Sequence, residues 1–481
     1  MKHLPLRRTV SLFAALCVVA VPASLRAQAT LAEAQVSPRY ARSIDFARVM
    51  ITALMAESGT PGMSVAVGID GSVVWAEGFG YADVENRAPV WEETKFRIGS
   101  VSKPLTAAAV GLLVEQGRLD LDVPVQNYVP TFPQKRWPIT TRQVAGHLSG
   151  IRHYRGDEPL SAVPYRTVRD GLAIFQDDTL LFQPGERFSY SSYGWNLISA
   201  VIEGASGQNF LSYMRQNVFD PLGMQHTVAD HPDSITPHRT RFYERNEDGG
   251  IVNAPYVDNS YKWAGGGFLS TPSDLVQFGF AHFGDELLRP ETIAELWTPQ
   301  HTNAGESTGY GIGWSVAVEG GTVVRAGHGG GSVGGTAGFE TWPPDRAAVA
   351  LLGNLSQAPT GGLVLTLVKE AFLDPQALAP AELGPSVTGA FACVVMAGEQ
   401  EAVRGTMTLT GSPAQYWGSI AWSNNTVDRV IYSSSSAEQT RLVTIDDGAN
   451  LLELRFTKIG DDTLAGTWRS RGGGTVTCTH R

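Results

Sequence analysis

The chain has 481 residues, of which 43% are hydrophobic and 17% charged, with 47 acidic side chains against 37 Lys and Arg. That balance excludes a disordered chain and allows two or three domains with proper cores. A formal net charge of −10 with no basic cluster argues against a nucleic-acid partner.

The first 29 residues read as a signal peptide. Lys2, Arg7 and Arg8 make a positive start, an apolar run follows from Val10 to Val21, and Ala27-Gln28-Ala29 suits cleavage. The run is too short to span a bilayer, and no later run is long enough, so no stable membrane insertion is expected. A periplasmic or secreted protein is the expectation. Arg7-Arg8 fits a twin-arginine signal only loosely. Beyond this segment only Cys393 and Cys478 remain, so any intramolecular disulfide can have only one pairing. Neither has zinc-ligand spacing, and there is no His-Glu-x-x-His, so neither metal nor cofactor is expected.

Ala47 to Glu57 carries apolar residues on one helical face. Gly62 to Gly68 and Ser72 to Ala76 flank Asp70-Gly71, a strong hairpin signal. Next comes Ser100-Val101-Ser102-Lys103, followed by an apolar helical run that Gly117 ends. If Ser100 opens that helix, Ser100 and Lys103 stand one turn apart on one face. A lysine kept neutral beside a hydroxyl makes serine nucleophilic, whereas a plain N-cap would look the same in isolation.

The middle of the chain reads as helices and loops, with helices over Asn196 to Gly204, Asn209 to Val218, from Thr271, and over Pro290 to Trp297. Thr271-Pro272-Ser273-Asp274 has the cap-proline-acid order of a helix start. Strand patterns return over Tyr310 to Val316, Thr322 to Val324, Thr336 to Trp342 and Ala347 to Leu352, and a helix over Leu363 to Leu373 follows. With β material at both ends and helices between, residues 30–373 are expected to form an α/β domain. Its antiparallel sheet is flanked by helices, with an all-helical block beside it. A Pro/Ala-rich linker spans 374–388. Residues 389–481 read as a small antiparallel β-barrel or sandwich. Its first and last strands carry Cys393 and Cys478, which are predicted to be bonded.

Two further stretches stand out. Tyr190-Ser191-Ser192 follows a turn at Gln183-Pro184-Gly185 and precedes a buried helix. His328-Gly329-Gly330-Gly331 lies in a glycine run that lets backbone approach a ligand closely. That run also matches G-x-S-x-G through Ser332 and G-x-G-x-x-G from Gly329. Both patterns require a helix directly after, and the residues that follow read as a strand, so Ser332 is read as a loop serine.

Ser100-Val101-Ser102-Lys103, Tyr190-Ser191-Ser192 and His328-Gly329-Gly330 come in the order of the three motifs of the serine β-lactamase and penicillin-binding protein superfamily. The pattern resembles its class C-related branch, which includes D-aminopeptidases and esterases. His147-Leu148-Ser149-Gly150 and Trp263-Ala264-Gly265-Gly266-Gly267 also look like that branch.

The resemblance covers roughly residues 44–373 and implies an acyl-enzyme on Ser100. Lys103 and Tyr190 would share the proton, the first base being left open between them. The N–H groups of Ser100 and Gly331 would form an oxyanion hole, with Ser192, His328 and Gly330 beside the substrate. It also implies a lipocalin-like barrel at the C-terminus.

Two departures matter. Ser192 stands where the second motif usually ends in Asn, and His328 stands where classical β-lactamases carry Lys, so its charge would depend on pH. Both favour a peptidase or esterase over antibiotic hydrolysis, and a peptidase or amidohydrolase of small peptides is the main reading. A carboxylesterase is the alternative. A β-lactamase, a cell-wall carboxypeptidase and a catalytically silent binding protein are the remaining readings.

Overall fold

The hairpin turn at Asp70-Gly71 sets the frame. Both residues have positive φ, 50° and 81°, the geometry that joins twisted strands through a two-residue loop. It links strand β1 (Gly62–Ile69) to β2 (Ser72–Asp83). Every residue of β1 is buried, which explains why it carries no charge and Ser64 is its one polar side chain. Its other neighbour comes from the far end of the domain. Five strands complete the sheet: β3 (Ala88–Pro89), β4 (Ser315–Glu319), β5 (Thr322–Ser332), β6 (Gly335–Trp342) and β7 (Ala347–Gly353). The order is β3-β2-β1-β7-β6-β5-β4, all antiparallel, with Met63 opposite Gly353 and Ile69 opposite Ala347 at the β1–β7 junction.

The computed structural model describes residues 37–378, 386–460, 462–470 and 472–481. The signal peptide read over 1–29 and the centre of the linker lie outside the described residues. Helices α1 (Ala41–Ser58) and α5 (Leu363–Leu373) cover one face of the sheet. Met50, Ile51 and Leu54 meet Leu365, Val368 and Phe372 over Val65 and Leu351. On the other face lies α4 (Pro272–Phe280), capped by Thr271, whose side chain accepts the Asp274 N–H. Helix α2 (Ser102–Glu115) runs through the middle of the helical block, with its first ten residues all buried. Beside it lies α3 (Ser192–Ser206).

Three local expectations differ from the structure. Helix α3 begins at Ser192, not Asn196, because the Ser191 hydroxyl accepts the Gly194 N–H and caps it earlier. The strand read over Tyr310 to Val316 starts only at Ser315, because Gly313 has a φ of 81° and turns the chain. Strand β5 continues through the glycine run to Ser332, paired with β6 from Ala326 to Ser332, so Ser332 ends a strand and is not a loop residue. Glycine carries little strand propensity, so only the partner strand reveals this.

Residues 389–481 form a closed eight-stranded antiparallel barrel. Cys393 and Cys478 stand opposite each other where its first and last strands meet, and their sulfurs are joined. The barrel rests on the α1/α5 layer. Phe46 meets Tyr432 edge-on with ring centroids 4.7 Å apart, and Val443, Ile445 and Leu451 extend the α1/α5 core. Charge reinforces the seam. Glu453, only 1% exposed, pairs with Arg441, Arg455 and Arg469, and the last two also reach Glu370 on α5. Removing one member of such a network strands the others. Glu453→Ala should therefore lower stability by about 3–5 kcal/mol, read from urea or thermal unfolding. A change under about 1 kcal/mol would show that the network is not structural.

Candidate active site

Ser100 sits in a single 3-10 turn, Gly99–Val101, that leads into α2. Val101 occupies the N-cap position and no side chain caps the helix, so the capping explanation for Ser100 does not hold. Instead, Lys103 Nζ lies 2.9 Å from Ser100 Oγ, 2.8 Å from the Gly265 carbonyl and 3.3 Å from Ser192 Oγ. Among the described residues no carboxylate balances this amine, and its side chain is fully buried. Burial, and then the nearby Lys262 cation, hold it well below the usual lysine range. A neutral amine has two N–H donors and one lone pair. The carbonyl can only take an N–H, so one hydroxyl can give its proton to the lone pair.

Tyr190 precedes the Ser191 cap of α3. Burial pushes the pKa of the Tyr190 hydroxyl up, against an opposing pull from the Ser100 and Ser192 side chains, so it stays protonated. Lys103 Nζ also lies over the Tyr190 ring, 4.9 Å from its centroid. Ser100 and Ser192 thus share the Lys103 amine, with the Tyr190 ring against it.

Strand β5 packs against the turn that carries Ser100. A side chain at Gly330 would overlap the Ile98 carbonyl and lie 3.1 Å from the Ser100 N atom. Likewise, a Cβ on Gly99 would fall 2.5 Å from the Gly331 carbonyl oxygen. These glycines are the condition for close approach. The motif's His328 is buried. Its Nδ1 faces the Gly329 carbonyl, which only accepts, so Nδ1 carries the proton and Nε2 accepts from Tyr310 at 2.9 Å. Burial, with Lys103 nearby, pushes its pKa down to about 3. The expectation of a pH-dependent charge is corrected here, because at ordinary pH this histidine is neutral.

The structure therefore brings together Ser100, Lys103, Tyr190, Ser192, His328, Gly330 and Gly331. Cys393 and Cys478 lie apart, in the barrel. Both misleading glycine patterns lead into strand β6, so neither has the helix it needs. Three contributors were not read as site residues from sequence: the Gly265 carbonyl, Tyr310 and Lys262. Lys262 is 5% exposed and, among the described residues, its Nζ has no hydrogen-bond partner. Burial lowers its pKa to about 8, with Arg97 acting the same way and Asp230 opposing. A lysine carries no sequence mark of burial. Its place beside Trp263-Ala264-Gly265 was the one available signal. Among the described residues no group of three or more His, Cys, Asp or Glu could hold a metal ion. No helix among them is long and apolar enough to cross a membrane.

Residues 47–371 match the family model described as Beta-lactamase, and the chain belongs to that family. It is a serine hydrolase. The mitochondrial serine β-lactamase-like protein of Bos taurus is 34% identical over 428 residues, 68% of this chain and 76% of that protein. A D-aminopeptidase of Gluconobacter oxydans is 29% identical over 271 residues, 55% of this chain and 50% of that protein. The octameric penicillin-binding protein homologue of Pyrococcus abyssi shares the fold with a TM-score of 0.60 at 24% identity, covering 91% of this chain and 100% of that one.

The neutrality of His328 has a direct readout. A base held down to about 3 gains its proton only near or below that pH, so no charge change occurs between pH 5 and 9. In spectra of 15N-histidine-labelled protein, His328 should keep the Nδ1–H tautomer throughout that range. A transition near pH 6.5, the ordinary histidine value, would contradict the assignment.

Proposed function

We propose that this enzyme is a serine peptidase or amidohydrolase of small peptides, working through an acyl-enzyme on Ser100. One observation carries the reading: Ser100 Oγ lies 2.9 Å from an amine that burial keeps deprotonated. Ser100 attacks the substrate carbonyl and its proton passes into the Lys103–Tyr190 pair. The oxyanion forms between the N–H groups of Ser100 and Gly331. Tyr190 then returns the proton to the leaving amine, and water, activated in the same way, releases the acid.

The edge of strand β5 supports a peptide substrate. Strand β4 pairs with residues 322–327, so, among the described residues, 328–332 have no strand partner on that side. An extended peptide can add there as a strand. Where that edge ends, Arg97 Nη1 donates to the Val333 carbonyl at 2.8 Å. Arg97 also lines a cleft of about 660 Å3, with Trp91, Phe242 and Tyr256. The neutral His328 lacks the fixed cation that would hold a β-lactam carboxylate. The D-aminopeptidase relative points the same way.

Ser100→Ala should abolish fluorophosphonate labelling and lower turnover on the order of a million-fold. Wild-type enzyme should cleave amino-acid or dipeptide p-nitroanilides. Turnover of p-nitrophenyl esters alone would make it a carboxylesterase, and labelling that persists in Ser100→Ala would remove Ser100 from the mechanism.

We place the enzyme outside the cytoplasm, on the Lys2, Arg7 and Arg8 start, the apolar run and Ala27-Gln28-Ala29. N-terminal sequencing of protein recovered from the periplasm or medium should begin at Thr30. Recovery only from the cytoplasm with Met1 intact would refute this.

A further inference from the structure

The catalytic tyrosine sits on a short irregular segment, residues 188–191, just before α3. Such a segment cannot hold a hydroxyl to a fraction of an ångström by itself. The hydrogen bonds around it run to one other stretch, residues 147–153. The Ser189 N–H donates to the His147 carbonyl at 2.9 Å. The Ser191 N–H donates to His147 Nδ1 at 3.0 Å, and the Ser192 N–H donates to His153 Nδ1 at 3.1 Å. The Ser191 hydroxyl donates to the Arg152 carbonyl at 2.7 Å. The amide donors of Ser191 and Ser192 stand at the start of α3, where a helix has no carbonyl of its own to offer. Here two imidazoles take them.

The same two rings flank Tyr190. His147 lies 4.2 Å from it, centroid to centroid, and His153 meets it edge-on at 5.6 Å. The stretch that carries them is itself anchored. Arg152 pairs with Glu158 and Asp178, and His147 holds a left-handed φ of 62°.

We infer that His147 and His153 are positioning residues, which hold Tyr190 on Ser100 by accepting the two backbone N–H groups that follow it. Neither touches substrate in this role. Each must present an unprotonated Nδ1, because an imidazolium has only donors. That fixes both as neutral Nε2–H tautomers. His147 Nε2 is sealed and, among the described residues, has no partner, so this ring is held by Nδ1 and by its aromatic neighbours. The surroundings favour the neutral form. Burial, followed by Lys103, His328 and His153, pushes His147 well down, and burial and then Lys103 take His153 to about 4 against an opposing pull from Glu158. The inference rests on the Ser100 mechanism proposed above.

Asparagine separates this role from simple packing. Its Oδ1 can accept an N–H as Nδ1 does, and it tolerates the left-handed backbone of His147. His147→Ala, His147→Asn, His153→Ala and His153→Asn would be compared with wild type. Three measurements are needed: kcat and KM on a p-nitroanilide substrate, the rate constant for fluorophosphonate labelling of Ser100, and the melting temperature.

An ångström of misplacement costs a reaction on the order of a hundredfold. The alanine variants should lose about 10- to 100-fold in kcat and in labelling rate, with KM within about threefold, and each asparagine variant should recover to within about fivefold of wild type. Asparagine variants as impaired as alanine, a loss confined to KM, or unchanged labelling would overturn the inference. If His147→Ala does not fold, the His153 pair decides alone. If labelling rates follow the pattern but no peptide is cleaved, the positioning role stands and the peptide reading fails. If peptides are cleaved and labelling is unaffected, the positioning role alone fails. Wild type that takes up no label would remove both.

Discussion

A lysine amine sealed inside the protein without a counter-charge is the constraint on which the rest of the site depends. A buried ammonium with no carboxylate is so unfavourable that the group gives up its proton. Lys103 has a carbonyl and two hydroxyls around it and no acid. Lys262 adds a second cationic group nearby, which pushes in the same direction. The site therefore holds an amine with its lone pair free to take a proton, one turn of helix from a serine. The fold supplies this by burying the first ten residues of α2 on every side.

Bringing partners to that base is the work of long-range pairing. The β1–β7 junction joins residues 63–69 to 347–353. It closes the sheet and carries β5 to the turn that holds Ser100. Two glycines, Gly99 and Gly330, remove the side chains that would keep strand and turn apart. The third motif then gives shape and not charge. His328 is locked between a carbonyl and the Tyr310 hydroxyl, and burial keeps it neutral. The C-terminal barrel sits behind this assembly on α1 and α5, joined by an aromatic contact and by an Arg–Glu network at Glu370 and Glu453.

Much of this was legible in the chain. Strand-like runs marked β1, β2, β6 and β7, with the Asp70-Gly71 turn between the first two, and the change of pattern after residue 388 marked the barrel. Ser100, Lys103, Tyr190 and His328 were legible because their motifs occur in order. The misses share a physical cause. The glycine-rich end of strand β5 was hidden because glycines pair in a sheet only when a neighbour is present. The early start of α3 depended on a serine cap competing with other serines. Lys262 and Tyr310 were hidden because a side chain's type does not tell whether solvent reaches it.

Taken alone, the amino-acid sequence determined which groups exist and how they are spaced locally: a serine one turn from a lysine, a tyrosine before a helix, a glycine run, and two cysteines beyond residue 29 with one possible pairing. The charge states were decided only by the tertiary structure. Whether Lys103 is a base or a cation, and whether His328 titrates, depends on burial and on neighbours far away in the chain. So does the hold that His147 and His153 have on the backbone after Tyr190. Electrostatic free energy is a property of surroundings, and the surroundings exist only after folding.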